Sequence, residues 1–118
     1  MAGSERLICV SAALENSGKA VCFEVEYFGE NAPAFVVRFA GNIHGYLNRC
    51  GHVPMQLDWR EGEVFDAEGR DLICSTHGAT YAADSGRCLG GPCGKTPLVS
   101  LRMEERDGKV YFKGIDDG

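Results

Sequence analysis

Two short motifs in the middle of the chain each combine one cysteine with one histidine. Cys50 and His52 form a C-x-H motif, and Cys74 and His77 form a C-x-x-H motif. A stretch of 21 residues (53–73) lies between the two motifs. Thiolate and imidazole are the side chains that bind zinc, copper and iron best in proteins. The four residues are therefore the candidate ligands of a metal centre.

The way the ligands are divided bears on which centre they bind. A tetrahedral structural zinc accepts two cysteines and two histidines, so zinc remains open. Zinc fingers, however, usually place both cysteines in one half of the site and both histidines in the other, whereas here each motif supplies one of each. This division favours a centre with two unlike metal positions, such as a 2Fe–2S cluster in which one iron carries two histidines in place of two cysteines.

The elements on either side of the motifs read as β-strands. Apolar and polar residues alternate with a period of two, and Gly, Asn and Asp mark the turns. Sixteen glycines and only four prolines also favour a turn-rich chain. The predicted strands are Val21–Tyr27 and Phe35–Phe39 around a turn at Gly29–Pro33, then Ile43–Leu47, and finally Leu98–Met103 and Val110–Lys113 around Glu104–Gly108.

The segment between the strands differs in composition. Over residues 48–96 apolar residues become sparse, while Cys, His, Gly and Pro accumulate. Such a segment buries little apolar surface, and bound metal can supply the missing folding free energy. We therefore expect a single all-β domain, 1–118, with an antiparallel scaffold (1–47 and 97–118) and an inserted, loop-rich metal-binding subdomain (48–96).

Charge and hydropathy exclude several classes of protein. The net charge of −5 argues against nucleic-acid binding, which needs clustered Lys and Arg. No apolar run approaches the roughly 20 residues of a membrane span, and the N-terminal residues do not form a signal peptide. We expect a cytoplasmic protein, in which six cysteines indicate metal or redox chemistry more than a disulfide framework.

The motifs and their surroundings resemble the Rieske iron–sulfur proteins, in particular the small ferredoxins of ring-hydroxylating dioxygenases and the small subunits of nitrite reductases. Beyond the four ligands, the run from Cys74 through Ala79 to Tyr81 is similar to the second cluster loop of that family. Gly90-Gly91-Pro92 is similar to the family's proline loop.

The resemblance implies a Rieske fold and one 2Fe–2S cluster per chain, with Cys50 and Cys74 on one iron and His52 and His77 on the other. It implies a one-electron carrier without catalytic residues of its own, a monomer that passes electrons from a flavin-dependent reductase to a terminal oxygenase or another redox acceptor. A bound accessory subunit of a larger redox enzyme, of the nitrite reductase type, is the alternative. A zinc-stabilised interaction module is the third reading.

The resemblance also implies a potential at the low, ferredoxin end of the Rieske range. High-potential members join their cluster loops by a disulfide, whose positions here are Met55 and Thr76. They also carry a serine that donates to a bridging sulfide, and that position is Ala79. Tyr81 matches the family's tyrosine, whose hydroxyl donates to a cysteine sulfur.

Four further features lie outside the ligand set. The segment from Asp58 to Asp71, here called the acidic spacer, contains six acidic residues and two arginines and has a net charge of −4. It is either an acidic collar that attracts a basic partner or a solvated loop. His44 reads as a polar strand residue rather than a ligand. Cys9 and Cys22 are expected to be core residues. Cys88 and Cys93, beside the proline loop, could form a local disulfide or a redox-sensing pair, but a reducing compartment favours free thiols.

Overall fold

Nine β-strands account for most of the described chain in this computed structural model. The structure describes residues 5–27, 29–48, 62–66, 68–73, 79–90 and 97–116. The strands are β1 (Arg6–Val10), β2 (Val21–Tyr27), β3 (Glu30–Phe39), β4 (Asn42–Leu47), β5 (Asp71–Ile73), β6 (Thr80–Ala82), β7 (Cys88–Gly90), β8 (Ser100–Arg106) and β9 (Lys109–Asp116). Within these ranges the one helical segment is a 3-10 turn, Ser11–Ala13. The expected all-β antiparallel architecture is confirmed.

The strands form two sheets. Six of them make a large antiparallel sheet in the order β1-β9-β8-β4-β3-β2, and β5, β6 and β7 make a small sheet. The two edge strands of the large sheet, β1 and β2, lie close to each other. The Arg6 guanidinium on β1 donates a hydrogen bond to the carbonyl of Glu24 on β2. The same guanidinium lies 5.7 Å from the ring centroids of Phe23 and Phe112. The large sheet is therefore strongly curved, and a side chain joins its edges.

The two predicted hairpins are present, and both are longer than expected. Asp107 and Gly108 connect β8 to β9 with φ values of 52° and 74°, the left-handed pair of a type I′ turn. In the β2–β3 hairpin the turn ends at Gly29, and Pro33 is part of β3, opposite Glu24. The prediction that the turn extends to Pro33 was wrong. Proline has no N–H to donate, which this position in β3 tolerates, and the Pro33 carbonyl still accepts a hydrogen bond from the Asn48 amide.

A shared core joins the small sheet to the large one. Its fully buried members come from both sheets and from the segments between them: Ala20, Phe35, Val37, Tyr46, Val64, Leu72, Ala79, Tyr81, Ala83 and Leu98. Burial of this apolar surface fixes the small sheet against β3 and β4. The packing brings together segments that lie far apart in the sequence.

Candidate metal centre

The four candidate ligands, Cys50, His52, Cys74 and His77, lie outside the described residues. The structure does describe the strands that lead into and out of both motifs. The first motif follows β4, and the second lies between β5 and β6. These flanking residues define where the two motifs are anchored.

Hydrogen bonds on both sides hold the chain where it leaves β4. The Leu47 amide donates to the carbonyl of Val99 at 3.0 Å, and the Asn48 amide donates to the carbonyl of Pro33 at 2.8 Å. Leu47 and Asn48 are both almost fully buried. The last described residue before the first motif is therefore fixed in the interior, two positions ahead of Cys50.

The second motif has buried residues on each side. Leu72 and Ala79 are fully buried, and Ile73 ends β5 one residue before Cys74. The Ile73 amide donates to the carbonyl of Val64 at 2.8 Å. Ala79 brings a methyl group to this interior position, so the side chain at this place carries no hydroxyl donor. Tyr81, which follows on β6, is fully buried as well.

A direct contact links β4 to the turn that follows β6. The Tyr46 hydroxyl on β4 donates to the carbonyl of Ala83 at 2.8 Å, and this hydrogen bond is buried. Burial, helped by the nearby charge of Asp84, raises the pKa of Tyr46 far above its ordinary value. The phenol therefore keeps its proton and acts as a donor across the neutral pH range. Sequence reasoning missed Tyr46, because alternation along β4 indicates that it is buried but not what its hydroxyl contacts.

His44 lies in a groove beside this contact. The groove has a volume of about 570 Å³ and lies between β4, β8 and the turn that carries Asp84. Partial burial lowers the pKa of His44, and Asp84 opposes this effect. In the described part of the chain no group of three or more His, Cys, Asp or Glu side chains is placed to hold a metal ion. His44 itself lies on β4.

The cysteines outside the ligand set divide into two kinds. Cys9 and Cys22 are half-buried and pack against core residues. Cys88, in contrast, is in a disulfide, so the expectation of a free thiol there was wrong. That expectation came from the redox compartment, which does not show which sulfurs are neighbours in the fold. Cys93 lies outside the described residues.

The described part of the acidic spacer is a short hairpin. Phe65 pairs with Leu72, and the Asp66 carboxylate accepts hydrogen bonds from the backbone amides of Glu68 and Arg70, at 3.2 and 3.0 Å. Asp66 is thus used to build the turn. Glu63 and Glu68 are exposed, so in this part of the spacer they are the acids open to a partner.

The comparison with protein families indicates which kind of metal centre the two motifs form. The family model of the Rieske [2Fe-2S] domain matches residues 5–104, most of the chain. The chain belongs to the Rieske [2Fe-2S] domain family. This Rieske domain is thereby expected to carry a 2Fe–2S cluster. No curated protein matches the chain in a sequence comparison.

Solved structures show the same fold at low sequence identity. One is a chain from the complex of reduced oxygenase and oxidized ferredoxin in carbazole 1,9a-dioxygenase, with 22% identity, 94% of both chains covered and a TM-score of 0.72. Another is the ferredoxin of carbazole 1,9a-dioxygenase from Nocardioides aromaticivorans IC177, with 18% identity, 95% of this chain and 99% of that chain covered, and a TM-score of 0.70. A longer chain, from the reduced complex between oxygenase and ferredoxin, is covered over 29% of its length (97% of this chain, 18% identity, TM-score 0.73).

The residues present fit the cluster that the family implies. Two thiolates and two imidazoles are the donor set of a cluster with one Cys₂ iron and one His₂ iron. The described flanks of both motifs, Tyr46 on one side and Leu72 and Ala79 on the other, pack in one core.

Within the described ranges, no helix is long and apolar enough to cross a membrane.

Proposed function

We propose that this Rieske domain is a one-electron carrier that takes electrons from a flavin-dependent reductase and passes them to an oxygenase-type acceptor. The observation that carries the proposal is the family match over residues 5–104, together with the complete ligand set of two cysteines and two histidines. A 2Fe–2S cluster exchanges one electron at a time, so such a protein needs no catalytic residues of its own.

The similarity to solved structures supports the carrier role. The chain aligns with 99% of the length of a carbazole dioxygenase ferredoxin. Another similar structure is a complex of oxygenase and ferredoxin in carbazole 1,9a-dioxygenase. By analogy, the partner of this chain is a redox protein that receives its electron.

The ligand assignment is part of the proposal. Cys50 and Cys74 hold one iron, His52 and His77 hold the other, and residues 48–96 form the cluster-binding subdomain between scaffold segments 1–47 and 97–118. We further propose a monomer that works in the cytoplasm, and metal binding there requires the ligand thiols to be deprotonated.

Electron paramagnetic resonance of the anaerobically purified protein, reduced with dithionite, tests the proposal. A rhombic signal with the low average g value of a histidine-ligated 2Fe–2S cluster is the expected result, together with iron and sulfide at two equivalents each per chain. Stoichiometric zinc without that signal would contradict electron transfer and identify a structural metal module.

A further inference from the structure

The buried hydrogen bond between Tyr46 and Ala83 joins the two sheets at a particular place. Tyr46 is on β4 of the large sheet, and Ala83 directly follows β6 of the small sheet. The hydroxyl oxygen lies 2.8 Å from the Ala83 carbonyl oxygen, and both residues are 2% exposed. Water therefore does not compete for this bond.

The position of this bond along the chain relates it to the metal centre. Tyr46 precedes Cys50 by four residues, and Ala83 follows His77 by six. One partner is thus on the strand that leads into the first ligand motif, and the other directly follows the strand that leads out of the second. The hydrogen bond therefore joins the elements that flank the two motifs.

The surroundings hold the tyrosine ring in one orientation. The ring of Phe35 packs at 5.9 Å between centroids. The turn after Ala83 closes over the other side, where a Cβ at Gly86 would lie 2.8 Å from Cε1 of Tyr46. Gly86 has a φ of 76°, its amide donates to the carbonyl of Ala82 at 2.7 Å, and its carbonyl accepts from the amide of Leu98 at 2.8 Å. The turn is therefore fitted to the ring, and the ring in turn directs the hydroxyl at the Ala83 carbonyl.

Packing alone does not require this hydroxyl. A phenylalanine at position 46 would fill the same space between Phe35 and Gly86, yet it would leave the buried Ala83 carbonyl without this donor. Leaving a buried carbonyl unsatisfied destabilises the folded protein. The hydroxyl thus adds a directional constraint between two sheets that the apolar core already holds together.

We propose that Tyr46 is a positioning residue for the cluster, whose hydroxyl fixes the spacing of the two ligand motifs through the Ala83 carbonyl. This inference rests on the proposed function, since it concerns the cluster of that carrier. The potential and lability of such a cluster depend on the hydrogen bonds and solvent exposure around its sulfurs, which change when the loops that carry the ligands move.

The test compares Tyr46→Phe with two controls in the full chain. Tyr111→Phe removes a hydroxyl on β9, far along the sheet order from the small sheet. Val37→Ala removes buried methyl groups from the same core but leaves the hydrogen bond intact. For each protein the measurements are iron and sulfide content, midpoint potential, resonance g values, and the rate at which a chelator removes iron.

For Tyr46→Phe we expect a folded protein that loses its cluster to the chelator about 2- to 10-fold faster than wild type, in line with the loss of one hydrogen bond. Its midpoint potential and g values shift as well. Tyr111→Phe matches wild type in every measurement. Val37→Ala unfolds more easily, while its potential and g values stay those of wild type.

Three results would overturn the inference. The first is a Tyr46→Phe protein with wild-type potential, g values and chelation rate. The second is an equal shift in Val37→Ala, which would make the effect one of general stability. The third is that Tyr46→Phe yields no folded protein while Val37→Ala does, because the hydroxyl would then serve the fold itself. A wild-type protein without iron and sulfide would instead reject the proposed function, and this inference with it.

Discussion

The backbone amide of Ile73 donates a hydrogen bond to the carbonyl of Val64 at 2.8 Å. The acidic spacer is thereby attached to the strand that ends one residue before Cys74. Because Val64 and Leu72 are both fully buried, this hairpin is part of the core rather than a loop that moves independently. The exposed acids of this hairpin, Glu63 and Glu68, therefore lie close to β5.

The first prediction concerns these two acids. Replacing Glu63 and Glu68 together with glutamine should slow reduction of a basic partner at low ionic strength, by up to about tenfold, and flatten the dependence of the rate on salt. Stopped-flow kinetics over a range of salt concentrations measures this. Glu26→Gln with Glu30→Gln is the matched control, since both side chains are exposed on the β2–β3 hairpin. If the two double variants behave alike, the spacer is only a solvated segment.

The second prediction concerns the ligand set. Replacing any one of Cys50, His52, Cys74 or His77 with alanine should abolish the cluster, because none of the four donors has a substitute. His44→Ala should keep it, since His44 lies on β4, outside both ligand motifs. Visible absorbance and iron content of the purified proteins decide this. Loss of iron in the His44 variant, or its retention in a ligand variant, would contradict the assignment.

The third prediction concerns Ala79. A serine at this fully buried position should raise the midpoint potential, because its hydroxyl can donate to the cluster and a donor favours the reduced, more negative state. If that hydrogen bond is about 0.5–1.5 kcal/mol stronger in the reduced state, the shift is roughly 20–60 mV for a one-electron couple. Protein-film voltammetry measures it. Ala32→Ser adds a hydroxyl at another buried site, in the core of the large sheet, and should leave the potential unchanged.

The fourth prediction concerns acid stability. Arg38 holds Glu105 through two contacts, at 3.0 and 2.5 Å, and the hydrogen bond from Arg38 lowers the pKa of Glu105. A carboxyl whose pKa is lowered in the folded state stabilises the fold at pH values above its ordinary pKa. This stabilisation is lost as the pH falls through the pKa of the carboxyl in the folded protein.

The corresponding variant is Glu105→Gln. It should lower the free energy of unfolding at pH 7 and reduce the loss of stability between pH 5 and pH 3. Urea unfolding at both pH values, followed by circular dichroism, provides the measurement. Glu26→Gln, at an exposed position on β2, should keep the wild-type pH dependence. If the Glu105 variant loses as much free energy of unfolding between pH 5 and pH 3 as wild type does, the ion pair does not contribute to the acid dependence of stability.

Local chemistry explains why much of the fold was predictable from the sequence. Alternation of apolar and polar residues identified β2, β4 and the β8–β9 hairpin, because a strand with one buried face needs a period of two. The Asp107-Gly108 turn followed from residues that tolerate positive φ. The composition of residues 48–96 and the division of cysteine and histidine between two motifs indicated a metal centre, because donor chemistry depends on residue type alone.

The features that were missed depend on which distant residues meet. The place of Pro33 within β3, opposite Glu24, is set by the pairing with β2, which local patterns do not encode. Arg38 on β3 and Glu105 on β8 likewise meet because only β4 lies between their strands in the sheet. A propensity or a motif describes a residue together with its near neighbours in the chain, whereas these contacts arise from the packing of whole strands.

The sequence by itself supplied the candidate donor set, two cysteines and two histidines, because donor chemistry follows residue type, and this set suits either zinc or a 2Fe–2S cluster. Only the tertiary structure decided how the elements that flank the two motifs are held relative to each other. Tyr46 and Ala83 are 37 residues apart in the chain, and their hydrogen bond exists only once both sheets share one core. The physical reason is that a buried hydrogen bond requires a particular distance and direction, and only the packed fold supplies them.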